Sequence, residues 1–240
     1  MVSKSQIKLI TSLAQKKYRQ KNGLFVAEGI KVIRELLNSD FQLEKLFASE
    51  AIFDVSEDQF ILAEERELKK ISFLKTPQTA LALFKIPQQK LEVLDDLTLA
   101  LDGVRDPGNL GTIIRLCDWF GVKNLVCSQD TVDCFNPKVI QSTMGSITRV
   151  NVVYKNLSEF LQSQDLVSYG TFMEGENVYQ KTLQQKAVLV MGNEANGITS
   201  EIEQLISEKI SIPQFGQSQE TESLNVATAT AIFLSEFRRK

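Results

Sequence analysis

Three short segments of the sequence combine glycines with polar residues whose side chains can bind a ligand or take part in catalysis. They cover residues 102–111 (DGVRDPGNLG), 190–197 (VMGNEANG) and 212–227 (IPQFGQSQETESLNVA), and Arg115 follows the first of them. Carboxylates, amides and hydroxyls can orient a ligand or accept a proton. In the first segment, free N–H groups at a helix start would favour an anion, and Arg115 could hold a phosphate in a bidentate manner.

Each segment also has an ordinary structural explanation when it is considered alone. Asn109 could cap a helix and Arg115 could be a surface residue, and this interpretation is favoured for the first segment. Glu194 could equally be an exposed side chain in a tight, glycine-containing turn. Ser223 is a good N-cap residue, and it can cap a helix and serve a binding site at the same time.

The composition excludes several classes of site. The chain of 240 residues contains no histidine, which rules out a Ser-His-Asp triad, a histidine general base and a histidine-bound metal. The three cysteines lack C-x-x-C spacing, so we expect core thiols and a reducing cytoplasm. No apolar run approaches the roughly 20 residues that span a bilayer, and the N-terminus lacks a hydrophobic h-region. We therefore expect no membrane segment, no secretory signal and no bound metal.

A net charge of −3 conceals a basic N-terminal segment. Residues 1–34 carry eight basic side chains and one acidic one, so their charge of +7 leaves −10 for the rest of the chain. Such a patch attracts polyanions even on an acidic protein. A solvated, lysine-rich helix face explains the same residues equally well.

The pattern of apolar residues predicts two α/β domains joined near residues 86–90, one over 1–90 and one over 95–240. The first begins with a basic helix. The second alternates near-continuous apolar strands with helices, which is typical of a parallel sheet covered on both faces. Ligands of such sheets bind beyond the carboxyl ends of the strands, where the three polar segments lie. Among the predicted helices are 3–21, 137–144, 200–208 and 224–238. Ser223 is predicted as the N-cap at which the last of them starts.

In combination the motifs are far more specific than they are separately. D-P-x-N-x-G-x-x-x-R, then G-N-E-x-x-G, then I-P followed by S-L-N-V resemble the SpoU (TrmH-like) family of RNA 2′-O-ribose methyltransferases, within the knotted SPOUT class. This resemblance covers about residues 97–237. The segments KYR at 17–19, FVAEG at 25–29 and TPQ at 76–78 are similar to the accessory substrate-binding domain of that family, which is L30e-like.

The resemblance implies methyl transfer from S-adenosyl-L-methionine to a ribose 2′-hydroxyl in structured rRNA or tRNA. The cofactor would lie bent in the loops of a deep C-terminal trefoil knot, with its adenine against the backbone of Gly192, Ile212 and Leu224. Members of the family form homodimers, and the active site is built close to the dimer interface. The residues that match its active-site positions are Asn109, Arg115, Glu194, Ser223 and Asn225. The candidates for binding RNA phosphates are Lys16, Lys17, Arg19 and Lys21.

The sequence departs from the family pattern at two places. Six residues, 217–222, separate Gly216 from Ser223, so this loop is longer and more acidic than the family usually has. Thr79 stands where accessory domains often have a glycine.

The proton acceptor and the function itself each leave alternatives. A guanidinium group is effectively always protonated, so we expect Arg115 to bind a phosphate and stabilise a developing alkoxide rather than act as a base. Glu194, water or a phosphate oxygen could accept the proton. A catalytically silent RNA-binding protein with the same fold is the main alternative function, although the retained site residues argue against it. An unrelated nucleotide-binding α/β enzyme is disfavoured because the chain has neither a G-x-G-x-x-G motif nor a P-loop.

Overall fold

The structure is a computed structural model that describes residues 1–216 and 223–239, so the loop 217–222 lies outside the described residues. The chain divides into two compact units. The first comprises Met1–Gln88 and Asp133–Thr148, and the second comprises Gln89–Val132 and Arg149–Lys240. In the described residues the α-helices are α1 (Lys4–Ser12), α2 (Lys16–Asn22), α3 (Ile30–Leu37), α4 (Glu65–Ile71), α5 (Pro107–Trp119), α6 (Pro137–Thr143), α7 (Leu157–Gln162), α8 (Ser200–Glu203) and α9 (Val226–Arg238). The strands are β1 (Leu24–Glu28), β2 (Leu43–Ala48), β3 (Phe60–Leu62), β4 (Ala80–Lys85), β5 (Thr98–Leu101), β6 (Asn124–Cys127), β7 (Asn151–Tyr154), β8 (Ser168–Asn177), β9 (Val188–Met191) and β10 (Glu208–Ser211).

A four-stranded mixed sheet in the order β1-β4-β2-β3 forms the centre of the first unit. Strand β4 runs antiparallel to β1 and β2, and β3 is parallel to β2. Apolar side chains of α1 and α4, among them Ile10, Leu68 and Ile71, pack with Val26 and Phe47 of the sheet. This core is built from ordinary amphipathic elements, as the sequence pattern predicted.

The basic helix predicted over 3–21 is wrong in one respect, because the chain forms two helices instead of one. Helix α1 ends with Leu13 as its C-cap and α2 begins after Gln15. The guanidinium of Arg19 binds the carbonyl oxygens of Leu13 at 2.7 Å and Ala14 at 2.9 Å. These oxygens therefore accept hydrogen bonds from a side chain at the break between the two helices.

The segment Asp133–Thr148 packs in the first unit, although the predicted ranges 1–90 and 95–240 assigned it to the second domain. Its aromatic ring at Phe135 lies 4.9 Å from the ring of Phe25 and 6.5 Å from that of Phe41. Asp133 accepts a hydrogen bond of 2.8 Å from Nε of Arg19. An aromatic cluster and an ion pair thus hold a segment that is distant in sequence.

Six parallel strands in the order β10-β8-β9-β5-β6-β7 form the sheet of the second unit, which confirms the predicted α/β class with a parallel sheet. The central strands β5 and β9 are buried along their whole length, as their continuous apolar sequences require. Leu101 at the end of β5 pairs with Met191 at the end of β9. The polar segments that follow these two strands therefore begin side by side.

One predicted helix start shifts in the structure, and another helix is shorter than predicted. The N-cap of α9 is Asn225 and not Ser223, because Oδ1 of Asn225 accepts from the N–H groups of Ala227 (3.0 Å) and Thr228 (3.3 Å). Helix α8 is capped by Thr199 and ends at Glu203, whereas the sequence predicted 200–208. The shorter helix leaves room for β10, which already begins at Glu208.

No helix in residues 1–216 and 223–239 is both long and apolar enough to cross a membrane. Over the same ranges, the acidic and cysteine side chains form no group of three that could hold a metal ion. Cys117, Cys127 and Cys134 are buried. Burial raises the pKa of the Cys117 thiol, which therefore stays protonated.

Candidate active site

A cavity of about 770 Å³ opens at the carboxyl ends of the parallel strands in the second unit. This volume is within the range of about 300–1,000 Å³ that small-molecule sites occupy. The residues that line it include the stretches 171–173, 191–198, 212–216 and 223–224, together with the start of α9. The second and third polar segments of the sequence therefore form its walls, at the position where open α/β sheets bind ligands.

Gly192 lies where the chain turns sharply into the cavity wall. A Cβ atom added there would lie 2.2 Å from the carbonyl carbon of Gly197 and 2.3 Å from the nitrogen of Ile198. Asn193 and Gly197 close this turn with two reciprocal N–H···O bonds of 2.9 Å. The turn itself therefore requires a glycine at 192, whatever ligand the cavity binds.

Two residues that were not assigned to the site connect the first and second segments. Oδ2 of the buried Asp102 accepts a 2.7 Å hydrogen bond from the backbone N–H of Thr199. Nδ2 of Asn193 donates to the carbonyl oxygen of Gly103 at 2.6 Å. Both side chains come directly after a strand end, and this position is the signal that could have identified them.

Hydrogen bonds from residues that follow the neighbouring strand β6 also hold the first segment in place. Ser128, just after β6, accepts a 2.9 Å hydrogen bond from the N–H of Gly103 and donates to Asp130 at 2.6 Å. The hydrogen bond from Ser128 and the ion pair with Arg105 lower the pKa of Asp130. A charged Asp130 keeps the Ser128 hydroxyl directed toward it, so the hydroxyl oxygen can accept from Gly103.

Three of the predicted site residues meet in one hydrogen-bonded chain. Nδ2 of Asn225 donates to Oδ1 of Asn109 at 3.0 Å, and Nδ2 of Asn109 donates to Oε1 of Glu194 at 2.7 Å. Asn109 lies 116 residues from Asn225 and 85 from Glu194 along the chain. The fold therefore brings one residue from each polar segment into direct contact.

Asn109 is available for this contact because another residue caps its helix. Asp106 is the N-cap of α5, and its Oδ1 accepts a 2.8 Å hydrogen bond from the backbone N–H of Asn109. Pro107 occupies the first helical position, where the missing N–H carries no penalty. The explanation of Asn109 as a helix cap is therefore wrong, and its side chain remains for the site.

The structure places the remaining cavity residues as follows. Gly192, Ile212 and Leu224, which the resemblance implied for the adenine, all line the cavity. Ser223 lines it too, and because Asn225 caps α9, Ser223 takes no part in that cap.

Arg115 is a predicted site residue that does not join the hydrogen-bonded chain of Asn225, Asn109 and Glu194. It is exposed on α5 and does not belong to the cavity lining. Within residues 1–216 and 223–239, its guanidinium has no hydrogen bond or ion pair. Trp119, one turn further along the same face of α5, is 84% exposed. This face of α5 therefore carries a cation and an aromatic ring, both accessible.

Among the predicted RNA-binding residues, Lys16, Lys17 and Lys21 are exposed on α2, whereas Arg19 is only 1% exposed. The Arg19 guanidinium binds Asp133 and the two carbonyl oxygens at the α1–α2 break. The assignment of Arg19 to RNA binding is therefore wrong, because its guanidinium is buried and donates its hydrogen bonds to groups of the protein itself.

Comparison with protein families divides the chain as the motifs did. Residues 96–235 match the SpoU rRNA Methylase family, and residues 4–82 match the MRM3-like substrate binding domain. Among curated proteins, the 23S rRNA (guanosine(2553)-2′-O)-methyltransferase RlmP of Bacillus subtilis is 31% identical over 234 residues, which are 94% of this chain and 93% of the relative.

Solved structures agree with this result. A protein of the TrmH family of RNA methyltransferases from Porphyromonas gingivalis is 38% identical, with a TM-score of 0.91 over 99% of this chain and 98% of that chain. An AdoMet-bound rRNA methyltransferase from Sinorhizobium meliloti is 29% identical, with a TM-score of 0.87 over 99% and 96% of the two chains. The motif order, the site geometry and a family match over more than half of the sequence lead to one conclusion: this chain belongs to the SpoU rRNA methylase family.

Proposed function

We propose that this protein methylates a ribose 2′-hydroxyl of ribosomal RNA and uses S-adenosyl-L-methionine as the methyl donor. The observation that carries the proposal is the chain of Asn225, Asn109 and Glu194 beside a cavity at the carboxyl ends of the sheet. The Bacillus subtilis relative, which matches nearly the full length, is named as a 23S rRNA enzyme, and this favours rRNA over tRNA.

The cavity has the size and the electrostatic character that the cofactor requires. When bound, S-adenosyl-L-methionine supplies a methyl group that its positively charged sulfonium makes electrophilic. Glu194 lines the cavity without a cationic partner in the described residues, and none of the described lining residues is basic, so the walls favour a cation. Gly192 and the backbone at Ile212 and Leu224 let the adenine approach main-chain donors and acceptors closely.

Arg115 is proposed to act on the RNA and not on the cofactor. Its guanidinium is permanently charged and presents a planar fork of donors, which suits a phosphate next to the target ribose. A cation there also stabilises negative charge that develops on the 2′ oxygen. Ser223 at the cavity edge offers a hydroxyl for orienting the bound substrates.

The first unit is proposed to bind the RNA substrate. Its match to the MRM3-like substrate binding domain supports this role, and an L30e-like fold is part of the proposal. Lys16, Lys17 and Lys21 form an exposed basic surface on α2, and we call these three residues the α2 lysine surface. Phosphate contacts through such lysines would position the RNA without reading its sequence.

A homodimer is part of the proposal, with an interface on α5 and α9. The apolar, small-residue sequence of helix 224–238 predicts that Ala227, Ala229, Ala231, Ile232, Leu234 and Phe237 contribute to this interface, and three of them do not. Ala227, Leu234 and Phe237 are buried within their own unit, where the Phe237 ring lies 5.4 Å from that of Tyr169. They are therefore unavailable to a partner. The exposed indole of Trp119 on α5, which packs beside α9, is the apolar surface that a second copy would cover. In sedimentation at micromolar concentration, the wild type should be a dimer and the Trp119→Glu variant a monomer. A monomeric wild type would contradict the proposed dimer.

The finer fold and the location complete the proposal. The C-terminal chain that carries the second and third polar segments is proposed to form the deep trefoil knot of the SPOUT class. The neighbouring order of β8, β9 and β5 with the site at their carboxyl ends supports this assignment. A cytoplasmic location suits three buried cysteine side chains and an rRNA substrate.

Loss-of-function mapping tests the proposed reaction directly. Ribosomal RNA from a strain that lacks this gene should miss one or more 2′-O-methyl groups, and the purified protein with S-adenosyl-L-methionine should restore them. Calorimetry with the cofactor distinguishes the enzyme from a catalytically silent RNA-binding protein, because the silent protein would bind RNA but not S-adenosyl-L-methionine. An unchanged methylation map, together with no transfer to rRNA in vitro, would refute the proposal.

A further inference from the structure

We infer that Glu194 accepts the proton of the ribose 2′-hydroxyl and that Asn225 and Asn109 hold its carboxylate in that role. This inference rests on the proposed function and adds the identity of the base. Guanidinium chemistry excludes Arg115 as the acceptor, and the chain has no histidine. Among the residues that line the cavity, the structure favours Glu194 for this role.

The orientation of the Asn225 amide is fixed by helix capping. Its Oδ1 accepts from two backbone N–H groups, those of Ala227 and Thr228, at the start of α9. An amide rotated by 180° would turn its NH₂ group against these two donors, which is unfavourable. Nδ2 of Asn225 must therefore point away from the helix as a donor.

This donor in turn fixes the orientation of Asn109. Oδ1 of Asn109 accepts from Asn225, so its Nδ2 is the atom directed at Glu194. The donors in this chain all point one way, from the helix cap to the carboxylate. Oε1 of Glu194 therefore accepts the last donor of the chain, and its second oxygen, Oε2, takes no part in the chain.

Of the two carboxylates that line the cavity in the described residues, Glu194 is the better acceptor. Glu203 forms an ion pair with Lys209 through Oε1. The adjacent ammonium group of Lys209 occupies that oxygen and neutralises the charge of the carboxylate. Glu194 has a neutral amide as its partner instead, so its charge is not neutralised by a cation.

The proposed step transfers one proton and balances as follows. The O–H bond of the 2′-hydroxyl breaks, and its proton forms a bond with Oε2 of Glu194. The ribose oxygen uses the released electron pair to bond to the methyl carbon, while the bond from that carbon to sulfur breaks and its electron pair stays on sulfur. Glu194 then returns the proton to water. In this scheme Glu194 is the catalytic residue, and Asn109 and Asn225 are positioning residues.

The first experiment replaces the acceptor. Single-turnover methylation of a 23S rRNA fragment by Glu194→Gln, at saturating cofactor, should be slower than wild type by roughly 10²–10⁴-fold, the usual contribution of a general base. Its calorimetric affinity for S-adenosyl-L-methionine should remain within about tenfold of wild type, which shows an intact cavity. Glu174→Gln, an exposed carboxylate on β8, is the matched control and should react at the wild-type rate.

A rate for Glu194→Gln within about threefold of wild type would overturn the inference and assign the proton to water or to a phosphate oxygen. That outcome would leave the proposed function intact, because the wild type would still methylate rRNA in the same assay. Failure of the wild type itself to methylate any RNA would instead refute the proposed function.

The second experiment tests the two positioning residues through Asn225→Asp. Aspartate caps a helix as well as asparagine does, so the thermal midpoint should change little. The variant loses the Nδ2 donor, and Asn109 can then rotate and turn its oxygen toward Glu194. Because the Glu194 carboxylate then faces an oxygen instead of a donor, the acidic limb of the pH–rate profile should lie at higher pH in the variant than in the wild type.

Asn156→Asp provides the matched control, since Asn156 caps α7 with the same geometry and does not line the cavity. Its pH–rate profile should coincide with that of the wild type. A purely capping role for Asn225 would leave both the thermal midpoint and the acidic limb of Asn225→Asp unchanged. A profile of Asn225→Asp that coincides with wild type would therefore overturn the positioning role.

Discussion

Arg19 in the first unit, predicted to bind RNA, and Arg115 in the second, predicted as an active-site residue that binds a phosphate, differ in burial and in their contacts. Arg19 is 1% exposed and binds Asp133, Leu13 and Ala14. Arg115 is exposed, and no protein group in the described residues engages it. An arginine is therefore buried in one unit and exposed to solvent in the other, because its environment depends on contacts that are distant in sequence. Asp133 is 114 residues from Arg19.

Of the two arginines, Arg115 is expected to have the larger effect on activity, and its effect should appear in activity alone. Arg115→Ala should reduce single-turnover methylation by roughly 10²–10³-fold, because it removes a cation that stabilises the transition state. Cofactor affinity should stay nearly unchanged, and the free energy of unfolding should change by less than about 0.5 kcal/mol. Arg115→Lys restores charge without the planar fork and should recover activity only in part. Arg66→Ala, an exposed arginine of the first unit, is the control, and near-full activity of Arg115→Ala would remove its catalytic assignment.

Arg19 should show the opposite pattern. Arg19→Ala leaves the buried Asp133 carboxylate and two carbonyl groups without their donor, and should destabilise the first unit by about 3–5 kcal/mol. Hydrogen exchange of the β1 amides measures the stability of this unit by itself. Lys17→Ala, an exposed neighbour, should change it by less than about 0.5 kcal/mol. A loss below about 1 kcal/mol in Arg19→Ala would show that the pair behaves like an exposed one.

The α2 lysine surface should account for part of the salt dependence of RNA binding. Replacing Lys16, Lys17 and Lys21 by alanine should weaken binding and reduce the slope of log K against log salt by roughly 0.7–0.9 for each phosphate that these lysines neutralise. Calorimetric affinity for the cofactor should not change. Alanine at Lys69 and Lys70, exposed on α4 of the same unit, is the control for loss of charge alone. An unchanged slope in the α2 variant would mean that these lysines are only solvated.

The smallest effect concerns two carboxyl groups whose pKa values are shifted in opposite directions. Burial raises the pKa of Glu28 in the first unit, despite hydrogen bonds from Phe73 and Ser72, whereas the hydrogen bond from Ser128 lowers the pKa of Asp130 in the second. The stability that Glu28 contributes is present at low pH and is lost as the pH rises through its raised pKa. That of Asp130 is present at neutral pH and is lost as the pH falls through its lowered pKa. Carboxyl NMR titration measures both midpoints, and a Glu28 midpoint below that of Asp130 would contradict this comparison.

Elements with a strong local signal were predictable from sequence. Strands β5, β6 and β9 are mostly apolar, with Thr98 and Asn124 as the polar residues at the starts of β5 and β6, and the parallel sheet buries them as expected. That the motifs carrying Asn109, Glu194 and Asn225 would lie at one edge of the sheet followed from the sequence, since each motif comes after a strand end of the same sheet. Caps were harder to predict, because Ser223 and Asn225 are both good N-cap residues and only the observed backbone geometry selects Asn225.

By itself, the sequence determined the α/β class, the family and the residues of the three polar segments, because strand periodicity and glycine-rich junctions are local properties of the chain. Tertiary structure decided which of those side chains touch each other. It also placed the segment Asp133–Thr148 in the first unit and buried Arg19 there. The physical reason is that a buried ion pair and an aromatic cluster are stable only when residues more than a hundred positions apart meet. The charge pattern of α2 alone therefore does not predict the contact of Arg19 with Asp133 or the packing of Phe135 against Phe25.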